Sequence, residues 1–209
     1  PRALAIVRAM ASDRADRYVG EVLLPTLQAA TRADGSNLVD VRDAIAHPYA
    51  CLHAFYAHYA FARRGKDRDE LAQMALVALK RITSPDSVEN LLMQEDGSTL
   101  WDAFSEVCAE RKRKNSEQLN RGILAGMVEL AQEIYALDGQ GSISGWLVRS
   151  LLQTDRIEPA FLRIVDIRGV GPKTTSTFLR DIVFLYGLED QLDNVDRLYI
   201  QPIDRWIRL

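Results

Sequence analysis

The chain has 209 residues, of which 47% are hydrophobic, so it can form one large domain or two small ones around a substantial core. Its 26 basic and 29 acidic residues give a net charge of −3, which is not the bulk charge of a nucleic-acid-binding protein, so any binding of DNA must come from a local patch. Two cysteines, Cys51 and Cys108, exclude an iron–sulfur cluster or a four-cysteine zinc site, and we expect both to be small apolar residues in a reducing compartment.

The N-terminal region contains no apolar run that could be a signal sequence or a membrane span. Its longest apolar run, ALAIV (3–7), is far too short for a signal core or a membrane span. The chain begins with Pro1 and ends at Leu209, inside what reads as the first turns of a helix. We therefore expect the natural protein to extend beyond these residues.

Helical periodicity runs through nearly the whole chain. The segment DELAQMALVALKRI (69–82) places its apolar residues on one stripe, with Asp67 or Asp69 as a cap. Ser84 followed by Pro85 predicts the start of the next helix. Because no five-residue stretch alternates convincingly as a strand, we predict an all-α protein of about ten helices. Further helices are predicted within 98–114, 116–137, 142–154 and 158–168, the first of them with Leu100, Trp101, Phe104 and Val107 facing inward.

Three features before the hairpin need an interpretation: a pair of histidines, two glycines and a basic run. His53 and His58 are five residues apart, so they point to different helix faces and do not form a metal-binding pair; we interpret their segment as a packed aromatic helix. The glycines at 122 and 126 cost helix stability and are expected to permit close packing. The basic run ERKRKNSEQLNR (110–121) is either a solvated helix end or an edge that contacts phosphate.

The stretch DIRGVGPKTTSTFLRDI (166–182) has the pattern of two helices joined by a four-residue hairpin. Gly169 is predicted to end the first helix at its C′ position, and Pro172 to open the second. The N–H groups at the start of the second helix form an anion site that suits a phosphate. A nucleotide-binding phosphate loop is excluded, because the two glycines that it needs are replaced by Ile167 and Pro172.

The local charge around this hairpin differs from that of the whole chain. Four basic residues against Asp166 give a net charge of +3 from Arg163 to Arg180. The following stretch, 183–204, has five acidic residues against Arg197, and we expect it to face away from a phosphate backbone.

The hairpin IRGVGPKTTSTFLRDI, followed by QPIDRWI, resembles the helix–hairpin–helix signature of the base-excision DNA glycosylase superfamily. The specific match covers residues 158–209, and a weaker likeness extends back to the helix at 116–137. The spacing of the lysine and the aspartate is similar to that of the archaeal 8-oxoguanine branch. By this resemblance Lys173 is the nucleophile of a bifunctional glycosylase and lyase, and Asp204 is the essential aspartate.

The chemistry of the family needs these two residue types. A carboxylate stabilises the positive charge that glycosidic cleavage builds on the deoxyribose. An amine that attacks C1′ must be neutral, and the positive end of a helix dipole at Lys173 disfavours its ammonium form. Because the base must leave the DNA stack, a cleft between two helical lobes is implied.

The resemblance also implies the partners of the protein. It predicts double-stranded DNA with a damaged base, such as an oxidised purine, bound by a monomer that is cytoplasmic, associated with the nucleoid and not bound to a membrane. No cofactor is required, but the carbonyls of Val165, Ile167 and Val170 are predicted to hold a structural Na⁺ or K⁺. The DNA-binding residues are predicted to be Arg168, Gly169, Val170, Gly171, Thr174 and Thr175.

Two alternatives stay open. The protein could bind DNA through the hairpin without catalysis, or it could be an unrelated α-helical interaction domain. Departures from the family pattern include Ile167-Arg168 in place of Leu-Pro, and Arg205 after the aspartate. Residues 1–157 are predicted to form a mostly helical lobe or lobes without an assigned function, and residues 158–209 to form the hairpin and the catalytic segment.

Overall fold

The computed structural model describes residues 41–62, 65–94 and 96–202, together with Arg17, Glu21 and Pro25 as isolated helical positions. These ranges contain ten α-helices and no β-strand, so the predicted all-α class is confirmed. The helices are α1 (Val41–Ala46), α2 (Pro48–His58), α3 (Arg68–Ile82), α4 (Val88–Leu92), α5 (Ser98–Glu110), α6 (Glu117–Asp138), α7 (Ile143–Thr154), α8 (Glu158–Val165), α9 (Pro172–Tyr186) and α10 (Asp196–Tyr199). Short 3-10 helices lie at Gly65–Asp67, Pro85–Ser87 and Glu189–Gln191.

The sequence stripes become the core as predicted. In α5 the four residues expected to face inward are all buried, and α5 packs on the stripe of α3. Cys108 lies in this contact, where its Sγ is 3.9 Å from Met74 Sδ. Both cysteines are buried and free. The aromatic segment around His53 forms helix α2, most of which is buried.

Local signals place several helix ends. Ser84 forms the predicted cap as part of a capping box with Ser87, although the first turn is 3-10 rather than α. Ser142 caps α7 by accepting a hydrogen bond from the Gly145 N–H at 3.2 Å. Asp67 precedes α3 as predicted, but its side chain makes no capping hydrogen bond.

Aromatic rings from α2 and from Tyr59, the residue after it, pack against α9. The Phe178 ring of α9 meets the rings of Phe55 and Tyr59 edge to face, with centroids 5.4 and 5.3 Å apart. One hydrophobic cluster extends from Ile45 to Leu192, so described residues on both sides of position 157 share a core. The division into two lobes with a cleft between them stays a prediction. Among the described helices, none is long and apolar enough to cross a bilayer.

Candidate nucleic-acid interface and the environment of Lys173

The hairpin between α8 and α9 is longer than the sequence predicted. Helix α8 ends at Val165, so the connection covers residues 166–171, and the prediction that Gly169 is the C′ residue of α8 is wrong. Gly169 instead has φ +94° within a turn that the Val170 N–H closes on the Ile167 carbonyl at 2.9 Å. That φ suits the third residue of a type II turn, a position that favours glycine.

Helix α9 begins at Pro172 as predicted, and Gly171 precedes it in an extended conformation. The N–H and the hydroxyl of Thr175 both donate to the Gly171 carbonyl, at 3.0 and 3.2 Å. Lys173 is therefore the second residue of the helix, and its side chain is exposed. The first N–H groups of α9 give this end of the hairpin the electrostatics of an anion site.

The hairpin is docked on α6 through glycines. A Cβ placed on Gly122 would lie 2.6 Å from the Arg168 carbonyl oxygen, and one on Gly126 would lie 2.5 Å from Ile167 Cγ2. A Cβ on Gly169 would lie 3.3 Å from Ile123 Cβ. The expectation that the glycines of α6 permit close packing is confirmed, and the packing partner is the hairpin itself.

The six predicted DNA-binding residues differ in their exposure. Arg168 and Gly169 are exposed, and Gly171 is half-buried. Val170, Thr174 and Thr175 are buried, at 3%, 6% and 0% exposure, so their side chains support the hairpin rather than form its outer surface.

The predicted partner of Lys173 and the predicted cation site stay predictions. Asp204 lies outside the described residues. Among residues 41–202, where the structure describes them, no group of three or more His, Cys, Asp or Glu side chains could hold a metal ion. The cation site was predicted from the carbonyls of Val165, Ile167 and Val170, and of these the Ile167 carbonyl accepts the hydrogen bond of the turn.

A small cavity of about 80 Å³ lies beside Lys173 and Thr174, and its other lining residues were not predicted to belong to this site. Tyr59 lines it and donates a hydrogen bond from its hydroxyl to Asp181 Oδ2 at 2.8 Å. Asp181 is 3% exposed, and Arg180 donates two further hydrogen bonds to its Oδ1, at 2.9 and 2.7 Å. The remaining lining residues are His58, Ala62 and Thr177.

His58 is a titratable side chain that lines this cavity together with Lys173. Burial lowers the pKa of its imidazole, and the Arg68 charge lowers it further, whereas Asp181 raises it. The net lowering keeps the ring neutral at neutral pH. One signal in the sequence could have drawn attention to this cluster: Asp181 is an acidic residue within the apolar stripe of α9.

A larger open cleft, of about 770 Å³, lies between the first half of α6 and the end of α8. Its charges are mixed and partly satisfied. Arg121 pairs with Glu117 at 2.7 Å, and Arg163 pairs with Glu133. Arg168 and Asp166 of the hairpin and Glu129 of α6 complete the charged lining.

The acidic stretch after α9 is attached to the other end of α8. The buried carboxylate of Asp196 accepts hydrogen bonds from the Ile157 N–H at 3.0 Å and from Arg156 Nε at 3.2 Å. Eight residues of α8 separate this contact from the hairpin, a rise of about 12 Å. At Asp196, therefore, the acidic stretch lies away from the hairpin, as expected.

No protein-family model, no curated protein and no solved structure matches the chain.

Proposed function

We propose that the protein is a DNA glycosylase with lyase activity, which binds duplex DNA through the hairpin and attacks the lesion nucleotide with Lys173. The observation that carries the proposal is the position of Lys173, exposed at the second residue of α9 and directly after a glycine turn with φ +94°. The chemistry requires no cofactor.

Phosphate binding is supported by the form of the hairpin. The exposed Gly169 has no side chain to hold a phosphate away from the backbone, and the start of α9 carries the positive end of a helix dipole. Arg168, which is also exposed, adds a cation at the same turn. Because the turn is packed tightly on α6, these groups are held in place before DNA binds.

The lyase step is supported by what surrounds Lys173. A neutral lysine amine would form a bond to C1′ as the C1′–N bond to the base breaks and the base leaves with a proton. Loss of a proton from the nitrogen and opening of the C1′–O4′ bond then give the Schiff base, and loss of a C2′ proton from it permits elimination of the 3′ phosphate. His58 lines the same cavity as a neutral imidazole, which can hydrogen-bond to the amine or to the lesion nucleotide there. Asp204 has the role that the family resemblance implies, stabilisation of the positive charge on the sugar.

A second candidate function is DNA binding without catalysis. It is favoured by the exposure of Lys173, because an exposed lysine at a helix start can also contact a phosphate without reacting.

Borohydride trapping separates the two. The protein is mixed with duplexes that carry an oxidised purine, an alkylated purine, an oxidised pyrimidine or an abasic site, and a covalent adduct is sought after reduction. We expect an adduct with at least one damaged base, and first with the oxidised purine. Lys173→Gln should abolish the adduct while DNA binding stays measurable, and Lys80→Gln, which removes an exposed lysine of α3, should leave it unchanged.

The remaining outcomes are also informative. Binding without an adduct on any duplex would favour the non-catalytic function, and an adduct on the abasic duplex alone would restrict the activity to a lyase. Absence of binding at low salt would contradict both functions.

A further inference from the structure

The turn between α5 and α6 carries four consecutive cations, Arg111, Lys112, Arg113 and Lys114, and all four are exposed. We infer that this basic turn is a second contact with the phosphate backbone of the same DNA duplex that the hairpin binds. The inference rests on the proposed function for its ligand and extends it to a part of the chain outside the hairpin.

The basic turn has a defined conformation. The Lys112 and Arg113 N–H groups donate to the carbonyls of Ala109 and Cys108, at 3.0 and 2.9 Å. Lys112 has φ +53°, a left-handed conformation that a non-glycine residue rarely adopts. Asn115, which follows the turn, donates a hydrogen bond to Ser105 Oγ at 3.0 Å. Hydrogen bonds therefore attach both the turn and the residue after it to α5.

Three of the four cations of the basic turn form no ion pair with a described residue. Arg113 is paired with Asp67 at 2.7 Å and with Glu70 at 2.5 Å, which fastens the turn to the start of α3. Arg111, Lys112 and Lys114 form no ion pair with any residue in the described ranges. A fixed turn with three exposed cations matches a polyanion such as a DNA backbone.

The basic turn leads directly into the part of α6 that holds the hairpin. Helix α6 starts at Glu117, and a Cβ on Gly169 would lie 3.6 Å from the Leu119 carbonyl oxygen. Lys114 is five residues before Leu119, so their Cα atoms are at most about 17 Å apart. Each DNA strand places a phosphate about every 3.4 Å along the helix axis, so one duplex can reach both the hairpin and the turn.

The competing explanation is local. Cations after the last residue of α5 also interact favourably with the negative end of its helix dipole, and this would keep them on the surface without any ligand. The two explanations differ in the salt dependence of DNA binding, because only a phosphate contact releases counterions from DNA.

The experiment uses the triple variant Arg111→Gln/Lys112→Gln/Lys114→Gln and an undamaged duplex, with affinity measured at several salt concentrations. Affinity falls as salt rises, and each phosphate contact adds about 0.9 to the steepness of log affinity against log salt. Loss of three contacts should therefore make the slope less steep by about 2 to 3. The control is Lys80→Gln/Arg81→Gln/Arg149→Gln, which removes the same charge from α3 and α7 and should leave the slope nearly unchanged. Thermal unfolding is measured for both variants to show that they fold.

The outcomes separate this inference from the proposed function. An unchanged slope in the triple variant, or an equal loss in both variants, overturns the second contact, while borohydride trapping through Lys173 still tests the proposed function on its own. A less steep salt dependence in the triple variant alone, with trapping retained at low salt, supports the second contact. If the unaltered protein binds no DNA at low salt, both proposals fail.

Discussion

Helix α6 is packed in two different ways on its two sides. Toward α2 it meets large side chains: Tyr56 is fully buried there and donates a hydrogen bond from its hydroxyl to the Leu124 carbonyl at 2.8 Å. Toward the hairpin it presents Gly122 and Gly126, and the backbone and side chains of Ile167 and Arg168 fill the space where a Cβ would be.

The difference shows what each side contributes. Interdigitated aromatic side chains bury apolar area and stabilise the fold, and they are sensitive to truncation or to a buried charge. A glycine contact buries little area but lets a loop approach the helix closely, and it is sensitive to any added atom. Stability should therefore depend mainly on the α2 side, and DNA affinity on the hairpin side.

The largest expected effect is on the α2 side and depends on pH. Burial, with smaller contributions from the charges of Lys80 and His58, lowers the pKa of His53 to about 4. In the unfolded chain the histidine pKa is near 6.5, so acidification below that value protonates the unfolded state first. We expect stability to fall between pH 6.5 and pH 4 by up to about 3 kcal/mol from this residue, measured by urea unfolding.

The test of this assignment is His53→Leu, which should flatten the acid side of the stability curve. His53 Nδ1 is buried without a hydrogen-bond partner among the described residues, so leucine removes no bond there. His58→Gln is the control, since it removes a second histidine with a lowered pKa but keeps the burial that is the main cause of the low His53 pKa. An unchanged slope in His53→Leu would show that another group is responsible for the acid sensitivity.

The next effect is on the hairpin side. Gly122→Ala would place a Cβ 2.6 Å from the Arg168 carbonyl oxygen and 2.8 Å from Arg168 Cβ, so the hairpin must move. We expect the free energy of unfolding to fall by about 1 to 2 kcal/mol, because overpacking outweighs the gain in helix propensity. DNA affinity should fall by a larger proportion than this free energy. Thermal unfolding and duplex binding would be measured together.

Gly145→Ala is the matched control for this substitution. Gly145 is also helical, but its Cβ would meet only the flexible end of Arg149 at 3.2 Å and the Ser142 side chain at 3.4 Å. Its stability should be unchanged or higher by up to about 1 kcal/mol. Equal losses in the two variants would mean that the hairpin contact is not what makes Gly122 sensitive.

The sequence predicted the fold class well because helical periodicity is a local property. The stripes of α3 and α5 and the start of α9 at Pro172 follow from residues within one or two turns of each other. The prediction for Gly169 is wrong because a glycine with positive φ suits both a helix C-cap and a later turn. Which of the two positions Gly169 occupies depends on where α8 ends. Helix ends are defined less sharply than helix interiors.

The surroundings of Lys173 could not be predicted in the same way. Tyr59 and Asp181 are 122 positions apart in the chain, and their hydrogen bond exists only because α2 and α9 pack together. The glycines of α6 gave a correct expectation of close packing but did not name the partner. The pairing of Lys173 with Asp204 stays a prediction from the family resemblance.

The smallest expected effect asks whether the two sides of α6 are independent. Tyr56→Phe removes the hydrogen bond to the Leu124 carbonyl, and we expect a loss of about 1 kcal/mol with unchanged DNA affinity. Leu124 is only two residues from Gly122, so the double variant with Gly122→Ala is the decisive measurement. Independent sides predict stability changes that add to within about 0.5 kcal/mol. A larger coupling would mean that α6 moves as a rigid body, and in that case Tyr56→Phe alone should also weaken DNA binding.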